Sequence, residues 1–274
     1  MTDTFLPSPA IGGLSDVRTV DAVLAGTLAY DTKYLKTDWH HHDLHQLEYA
    51  LEGVAEVETS AGRYLVPPHQ AIWIPAGLGH NTTLRDTRSA AVFLHPAAMS
   101  GRFNDRARVL AAAPLLREMI VYALRWPIHR RSTTDAAVIF FAALADVLED
   151  SLDREQPLWL PTSTDPLAAA VIAYTEEHLA TVTAEDISVA LSVSERTLRR
   201  RFQQATGMTW RDFVIRAKLV RAMAMLADPG PSVLGVAMSV GFSSSSAFVR
   251  AFRDFTGSTP TDYRRHAQQR STVA

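Results

Sequence analysis

Ile187-Ser188-Val189-Ala190-Leu191-Ser192-Val193-Ser194-Glu195-Arg196-Thr197-Leu198-Arg199-Arg200-Arg201-Phe202-Gln203 is the stretch on which the reading of this chain turns. Ile187, Val189 to Leu191 and Val193 make a short apolar helix followed by a turn. Ser194 then stands where an N-cap belongs, its hydroxyl able to accept from the free amides of a new helix. In that second helix Leu198 and Phe202, four apart, face inward, while Arg196, Arg199, Arg200 and Gln203 lie on other faces. A short helix, a tight turn and a second helix with arginines near its start is the arrangement that presents a recognition helix to the major groove. Arginine pairs bidentately with guanine and also with phosphates. A charged, solvated face of an ordinary helical bundle has the same local pattern, so this stretch alone leaves both readings open.

The pattern recurs about fifty residues on. Residues 233–240 give a short helix, Gly241-Phe242 a turn, and residues 243–255 a second helix with Phe248, Ala251, Phe252 and Phe255 inward. Between the units, residues 209–226 read as one helix, about 27 Å long. Trp210, Phe213, Val214, Ala217 and Val220 form one apolar stripe on it, and Leu219, Met223 and Leu226 form another on the opposite side. A helix apolar on two faces is expected when two small subdomains clamp it. Its length nearly matches the roughly 34 Å between successive major grooves on one face of a duplex.

These residues resemble the AraC/XylS family of transcription regulators. The match runs over about 170–266: Ser194, Leu198, Phe202 and Gly207, then Arg216, Leu219 and Ala222, then Ala237, Val240-Gly241-Phe242, Ser246, Phe248, Arg250 and Phe252, and finally Gly257, Pro260 and Tyr263-Arg264. The resemblance implies promoter DNA as partner. It places the base-reading positions on Arg196, Arg199 and Arg200 (with Gln203 beside them) and, in the second unit, on Ser245, Ser246, Ala247, Val249 and Arg250. Two residues depart from the family pattern, Ser188 and Ser192, where Ala and Gly are usual. The second recognition helix offers mostly Ser, Ala and Val, so base specificity is expected to rest on the first unit.

Working back toward the N-terminus, the chain changes character. Residues 156–166 hold three prolines and read as an interdomain linker. Residues 104–153 read as helical, with Leu115, Met119 and Tyr122 recurring at i, i+4, i+7 and a second set at Ile139, Leu144 and Leu148. From about Ala22 to His95 alternating apolar residues such as Leu47/Tyr49/Leu51 and Ile72/Ile74 are broken by turn clusters, the pattern of an antiparallel sandwich or barrel.

Within that region Trp39-His40-His41-His42-Asp43-Leu44-His45-Gln46 carries four histidines, and Pro75-Ala76-Gly77-Leu78-Gly79-His80 adds another just after a turn. His40 and His42, two apart in an extended strand, point to one face, as metal ligands would. The strings resemble the two cupin motifs, with Gln46 at the usual carboxylate position, Gly53 at the expected spacing and His69 in place of a glycine. The resemblance implies His40, His42, Gln46 and His80 around the mouth of a small β-barrel. They would hold a divalent transition metal, or line an organic-ligand pocket with Trp39, Tyr49, Trp73 and Phe93 as candidate walls. A metal held there would be lost below about pH 6 as the imidazoles protonate. Residues 109–148 resemble the dimerisation helices that follow such a sensor domain, and could equally be a lid packed on the barrel.

Composition bounds the rest. The 274 residues allow more than one core. The absence of cysteine excludes disulfides and thiolate metal sites. The first residues lack the pattern of a signal peptide, and the longest apolar run, residues 136–145, is half of the roughly 20 a membrane span needs. A cytoplasmic protein without membrane contact is expected. The net charge of −2 divides into +6 over residues 181–270 and −8 over residues 1–180, so only the C-terminal part suits a polyanion.

The expectation is therefore an α+β multidomain chain: a cupin-like effector domain over 15–100, a helical dimerisation segment and linker over 101–164, and an all-α DNA-binding domain with two helix-turn-helix units over 165–270. The implied function is a sequence-specific transcription regulator answering to a small molecule or metal. It would act as a homodimer, and through RNA polymerase if it activates. The competing reading is a metal-dependent cupin enzyme, an oxygenase or isomerase, with a helical appendage.

Overall fold

The computed structural model describes residues 6–7, 23–68, 70–156, 158–227 and 230–269; His69 lies outside them. The chain divides into two compact units, the first made of residues 1–60 and 64–157, the second of 61–63 and 158–274.

The first unit is built on an antiparallel sheet. Its long strands are β2 (Ala25–Lys36), β3 (His45–Thr59) and β6 (His80–Leu94); shorter ones are β4 (Gly62–Val66), β5 (Gln70–Ile74), β7 (Arg108–Ala111) and β8 (Glu155–Gln156). A two-residue strand, β1 (Leu6–Pro7), pairs parallel to β2. The order is β1-β2-β6-β3-β5-β7-β8, with β4 hydrogen-bonded to β3. Among the described residues no pairing joins β8 back to β1 or β2, so the fold established is an antiparallel sheet rather than a closed barrel.

Every residue of β3 from His45 to Ala50 is buried, so both faces of the sheet are covered there. Alternation decides what each face meets. Leu47, Tyr49, Trp73, Val92 and Leu94 share one core with Leu116 and Ile120 of helix α1 (Pro114–Ala123) and with Phe141, Leu144 and Leu148 of helix α2 (Asp135–Leu152). Each such side chain, fully buried, contributes about 1.5–3 kcal/mol. The opposite face carries Gln46, Glu48, Ala91 and Phe93, whose registers are Gln46 opposite Phe93 and Glu48 opposite Ala91.

Two expectations for residues 104–153 change. The stretch is not helical throughout, because Arg108–Ala111 pairs as β7 with β5, Val109 opposite Ile72. A four-residue strand is too short to show its period in sequence. Of the expected stripes, Leu144 and Leu148 are buried in the core and Met119 packs against it, but Leu115 is 60 %, Tyr122 52 % and Ile139 70 % exposed. Both helices carry apolar residues on more than one side, and the register that buries Leu116, Ile120 and Ala123 is the one that fits the sheet.

The second unit begins with a short strand, β9 (Trp159–Pro161), inside the proline-rich segment, and is otherwise helical: α3 (Pro166–Glu177), α4 (Ala184–Ala190), α5 (Glu195–Thr206), α6 (Trp210–Ala227), α7 (Val233–Ser239), α8 (Ser245–Thr256) and α9 (Pro260–Gln269). Helix α6 buries both expected stripes, Phe213, Ala217 and Val220 on one side and Leu219, Met223 and Leu226 on the other. It packs on α5 and, further along, on α7, α8 and α9.

Candidate nucleic-acid interface and histidine cluster

The two halves of the second unit repeat each other, at an offset of 49 residues through the first helix and turn and of 50 from Ser194 and Ser244 onward, down to the caps. Ser194 Oγ accepts from the Thr197 amide at 3.2 Å, and Ser244 Oγ from the Ala247 amide at 3.4 Å. Helix α5 ends on Gly207 (φ 70°) and α8 on Gly257 (φ 75°), both left-handed, as glycine permits. Thr206 and Thr256 donate to the carbonyls of Phe202 and Phe252. The following helix is started in each half by a threonine, Thr209 or Thr259, accepting from Asp212 N or Asp262 N at 3.1 Å. The shared capping chemistry fixes where α5 and α8 begin and which face each buries.

That face is narrow. Leu198 and Phe202 in α5, and Phe248 and Phe252 in α8, are fully buried. The opposite stripe of α5 holds Arg196, Arg199, Arg200 and Gln203, spaced i, i+3, i+4, i+7, and all four are exposed. Arg199 is held by Glu195 at 2.6 Å one turn back. Arg196 and Arg200 have no hydrogen-bond or ion-pair partner among the described residues. Arg201 faces elsewhere and pairs with Asp165, the N-cap of α3. On α8, Ser245, Ser246 and Arg250 are exposed and Val249 is half-buried. Shifting the α5 stripe by fifty gives Ser246, Val249, Arg250 and also Arg253, which is exposed and which the sequence reading left out of the interface. The signal was present: Arg253 stands where Gln203 stands in the first half.

Two cations are structural rather than available. Arg216 lies over the Trp159 ring at 5.2 Å, its guanidinium lowered in pKa by burial. Lys218, also lowered by burial, donates from Nζ to Gly241 O at 2.9 Å and so ties α6 to the turn of the second helix-turn-helix.

In the first unit, a bridge between His40 and His80, each amide donating to the other's carbonyl at 2.9 Å, brings the two histidine strings together. Their rings lie 4.3 Å apart, and His42 is 5.3 Å from His80. One ligand nitrogen from each of the three falls within 4.8 Å of the others, so the cluster could hold a metal ion. Nδ1 of His40 donates to Asp38 O, that of His42 to Leu44 O and that of His80 to Leu78 O, at 2.8, 2.6 and 2.8 Å. Those bonds place the proton on Nδ1 of His40 and His80 and leave Nε2 as the lone pair, as ligating histidines require; His42 takes the same tautomer only if the Gln46 carboxamide is turned to offer its NH2 to Nε2. His80 Nε2 is buried without a hydrogen-bond partner among the described residues, so its lone pair is available to a ligand. Burial pushes His80 down to about 3 and lowers His42, so both are neutral near neutral pH.

Gln46 joins the cluster at His42 Nε2, 2.9 Å from its Oε1, and passes on to Glu48 Oε2 at 3.0 Å. Glu48 is a residue the sequence reading missed. Burial raises its carboxyl to about 7, against the hydrogen bond from Gln46. The spacing gave it away in retrospect: two residues beyond Gln46 in a strand is the same face. His40, His42, Gln46 and Glu48 border a cavity of about 30 Å³, room for an ion or a water, whose other walls include Tyr30, Leu35, Thr37, Thr82, Leu84 and Phe93. Of the candidate aromatic walls, only Phe93 is there, edge-on to His42 at 5.5 Å. Tyr49 and Trp73 belong to the core on the helix side, and Trp39 is 56 % exposed. His45, lowered to about 4 by burial, is on that other face and accepts from the Ala76 amide.

Comparison with known proteins agrees with the helical unit. A helix-turn-helix domain family matches residues 187–266. The chain is 28 % identical over 261 residues to the HTH-type transcriptional regulator NimR of Escherichia coli (strain K12), covering 92 % of this chain and 91 % of that protein. It is 36 % identical over 103 residues to the HTH-type transcriptional activator RhaS of Escherichia fergusonii, 37 % of each. Among solved structures it is similar to the DNA-binding domain of AdpA in complex with a target DNA, 33 % identical, covering 40 % of this chain and 100 % of that one with a TM-score of 0.37. These relatives are transcription regulators, not enzymes.

Proposed function

From the premise that the chain is a DNA-binding transcription regulator of the AraC/XylS family, we propose that it reads promoter DNA through the exposed faces of α5 and α8 and is controlled from its N-terminal sheet unit. The observation that carries the reading is the exposed i, i+3, i+4, i+7 stripe of Arg196, Arg199, Arg200 and Gln203, set opposite a buried Leu198-Phe202 face. Ser245, Ser246, Val249 and Arg250 form the second, weaker reader, and Arg253 adds a phosphate contact at its far end.

The sheet unit, over roughly 15–100, is the sensor and takes a cupin-like form; residues 101–164 carry the dimer contact; residues 165–270 are the DNA-binding part. A divalent transition metal at His40, His42 and His80 suits three neutral imidazoles with an orphaned Nε2. Binding through His42 requires Gln46 to turn away or to ligate through its own oxygen. The exposed apolar residues Leu115, Tyr122 and Ile139 on α1 and α2 are the surface for a second copy. Effector binding alters transcription only if the effector interacts differently with the two arrangements of the dimer. Where the outcome is activation, RNA polymerase is the further partner, in the cytoplasm.

The experiment is a footprint over the DNA upstream of the chain's own coding sequence, repeated across salt concentrations. A protected site that survives competition by unrelated duplex supports the reading. Salt-dependent binding with no sequence preference overturns it in favour of a non-specific architectural protein.

A further inference from the structure

A second cavity in the first unit lies apart from the histidines, where the rim of the sheet meets α2. It measures about 300 Å³, at the lower end of the roughly 300–1,000 Å³ typical of small-ligand pockets. Its walls are Leu24, Leu94, Ala97, Ala137, Val138 and Phe141, with three polar residues among them: His95, Arg130 and Thr133.

Arg130 is out of place in such a setting. The segment carrying it is held to the rim: Thr27 N donates to Trp126 O at 3.0 Å and Ile128 N to Thr27 O at 2.9 Å. Gly26 is needed there, because a Cβ would come within 2.6 Å of the Ile128 backbone. That segment places Arg130 at the wall of the cavity. Nη1 donates to Pro127 O at 3.0 Å and reaches Trp126 O at 3.5 Å, Nη2 reaches Thr133 Oγ1 at 3.5 Å, the guanidinium lies 5.9 Å from the Phe141 ring centre, and Nε is buried without a hydrogen-bond partner among the described residues. No carboxylate pairs with it among the described residues, and partial burial lowers its pKa. A permanently charged fork facing an apolar cavity without a counter-ion is costly unless an anion supplies one. His95 adds a second donor. Its Nδ1 accepts from the Ala97 amide, so its proton sits on Nε2.

We propose that this cavity is a binding site for a small carboxylic acid with an apolar body, its carboxylate on Arg130 and its tail against Phe141, Val138 and Leu94. The charge fixes the headgroup as a monoanion, and the apolar walls exclude sugars and polyanions. Because Ala137, Val138, Phe141 and Ala142 all belong to α2, a filled cavity bears on the helix whose outer face carries Ile139. That consequence rests on the regulator reading; the binding itself does not.

Calorimetric titration of the full chain, without DNA, tests the site with benzoate and octanoate as probes and benzyl alcohol and 1-octanol as neutral counterparts. The expected result is saturable binding of at least one acid. Its alcohol should bind at least about tenfold more weakly, and Arg130→Gln should weaken the acid by a similar factor. Ala142→Phe, which fills the cavity and leaves Arg130 in place, should also abolish binding and serves as the reading if the glutamine variant does not fold. Equal affinity for acid and alcohol, unchanged affinity in either folded variant, or no binding of either acid overturns the proposal. Each of these outcomes is independent of the footprint, so the site and the regulator reading fail separately.

Discussion

Ser192 and Gly241 stand at the same point of the two helix-turn-helix turns, both at positive φ (53° and 80°), but only at Gly241 does a main-chain carbonyl, that of Ala180, fill the place of a Cβ. The residues after them close the turns alike, Val193 N donating to Ser188 O and Phe242 N to Ala237 O. A non-glycine residue in this region costs about 1 kcal/mol. Ser192→Gly should therefore raise the urea midpoint of the C-terminal unit by an amount equivalent to roughly 0.5–1 kcal/mol. Gly241→Ala should lower it by several times as much, because the Cβ would lie 1.8 Å from Ala180 O and the backbone must move. Equal effects of the two substitutions would contradict the inequality of the turns.

The two recognition helices differ in what they present. Arg200→Ala is expected to cost about 1–3 kcal/mol at the cognate site and to relax base preference there. Arg253→Ala should weaken binding to all sequences alike and reduce the slope of affinity against salt by about one unit. Competition binding with a randomised duplex pool separates the two effects. If Arg250→Ala abolished sequence preference while Arg199→Ala and Arg200→Ala left it intact, the first unit would not be the main reader.

The histidine cluster makes a prediction about metal content. Purified protein equilibrated with Zn²⁺ should retain one ion per chain by elemental analysis, and its thermal midpoint should rise with free metal, by about 2.7 kcal/mol of stabilisation at a hundred times Kd. Removing the ion with a chelator should reverse the rise. His80→Ala should lower affinity by more than the roughly 10–100-fold that loss of an outer hydrogen-bond partner costs. Retention of the ion by that variant would move the site away from these three residues.

On α2, Ile139 is 70 % exposed while Phe141, two residues on, is buried in the core. Ile139→Asp should therefore leave the fold of the sheet unit intact, with no change in its near-ultraviolet circular dichroism, and should shift sedimentation from dimer to monomer. An unchanged dimer would mean that the apolar stripe of Leu115, Tyr122 and Ile139 serves another contact.

The DNA-binding part was largely legible before any coordinates, for a physical reason. Caps, turns and helix faces are local, and Ser194, Leu198, Phe202 and Gly207 state their roles within fourteen residues. The repetition of those roles at Ser244, Phe248, Phe252 and Gly257 makes the pattern hard to mistake. Arg253 was left out of the interface because no local signal separates it from other cations that point away from a buried face; its equivalence to Gln203 shows only in the register of the repeat.

The amino-acid order by itself determined the two-helix readers, the doubly buried α6 and the set of three histidines, since each follows from spacing along one or two elements. Tertiary structure alone decided which side of α1 and α2 faces the sheet and that Arg130 meets an apolar cavity. Those outcomes depend on which of several apolar faces packs best and on residues far apart in the chain meeting across strands. Burial and pairing energies of that kind belong to the assembled core and to no segment of it.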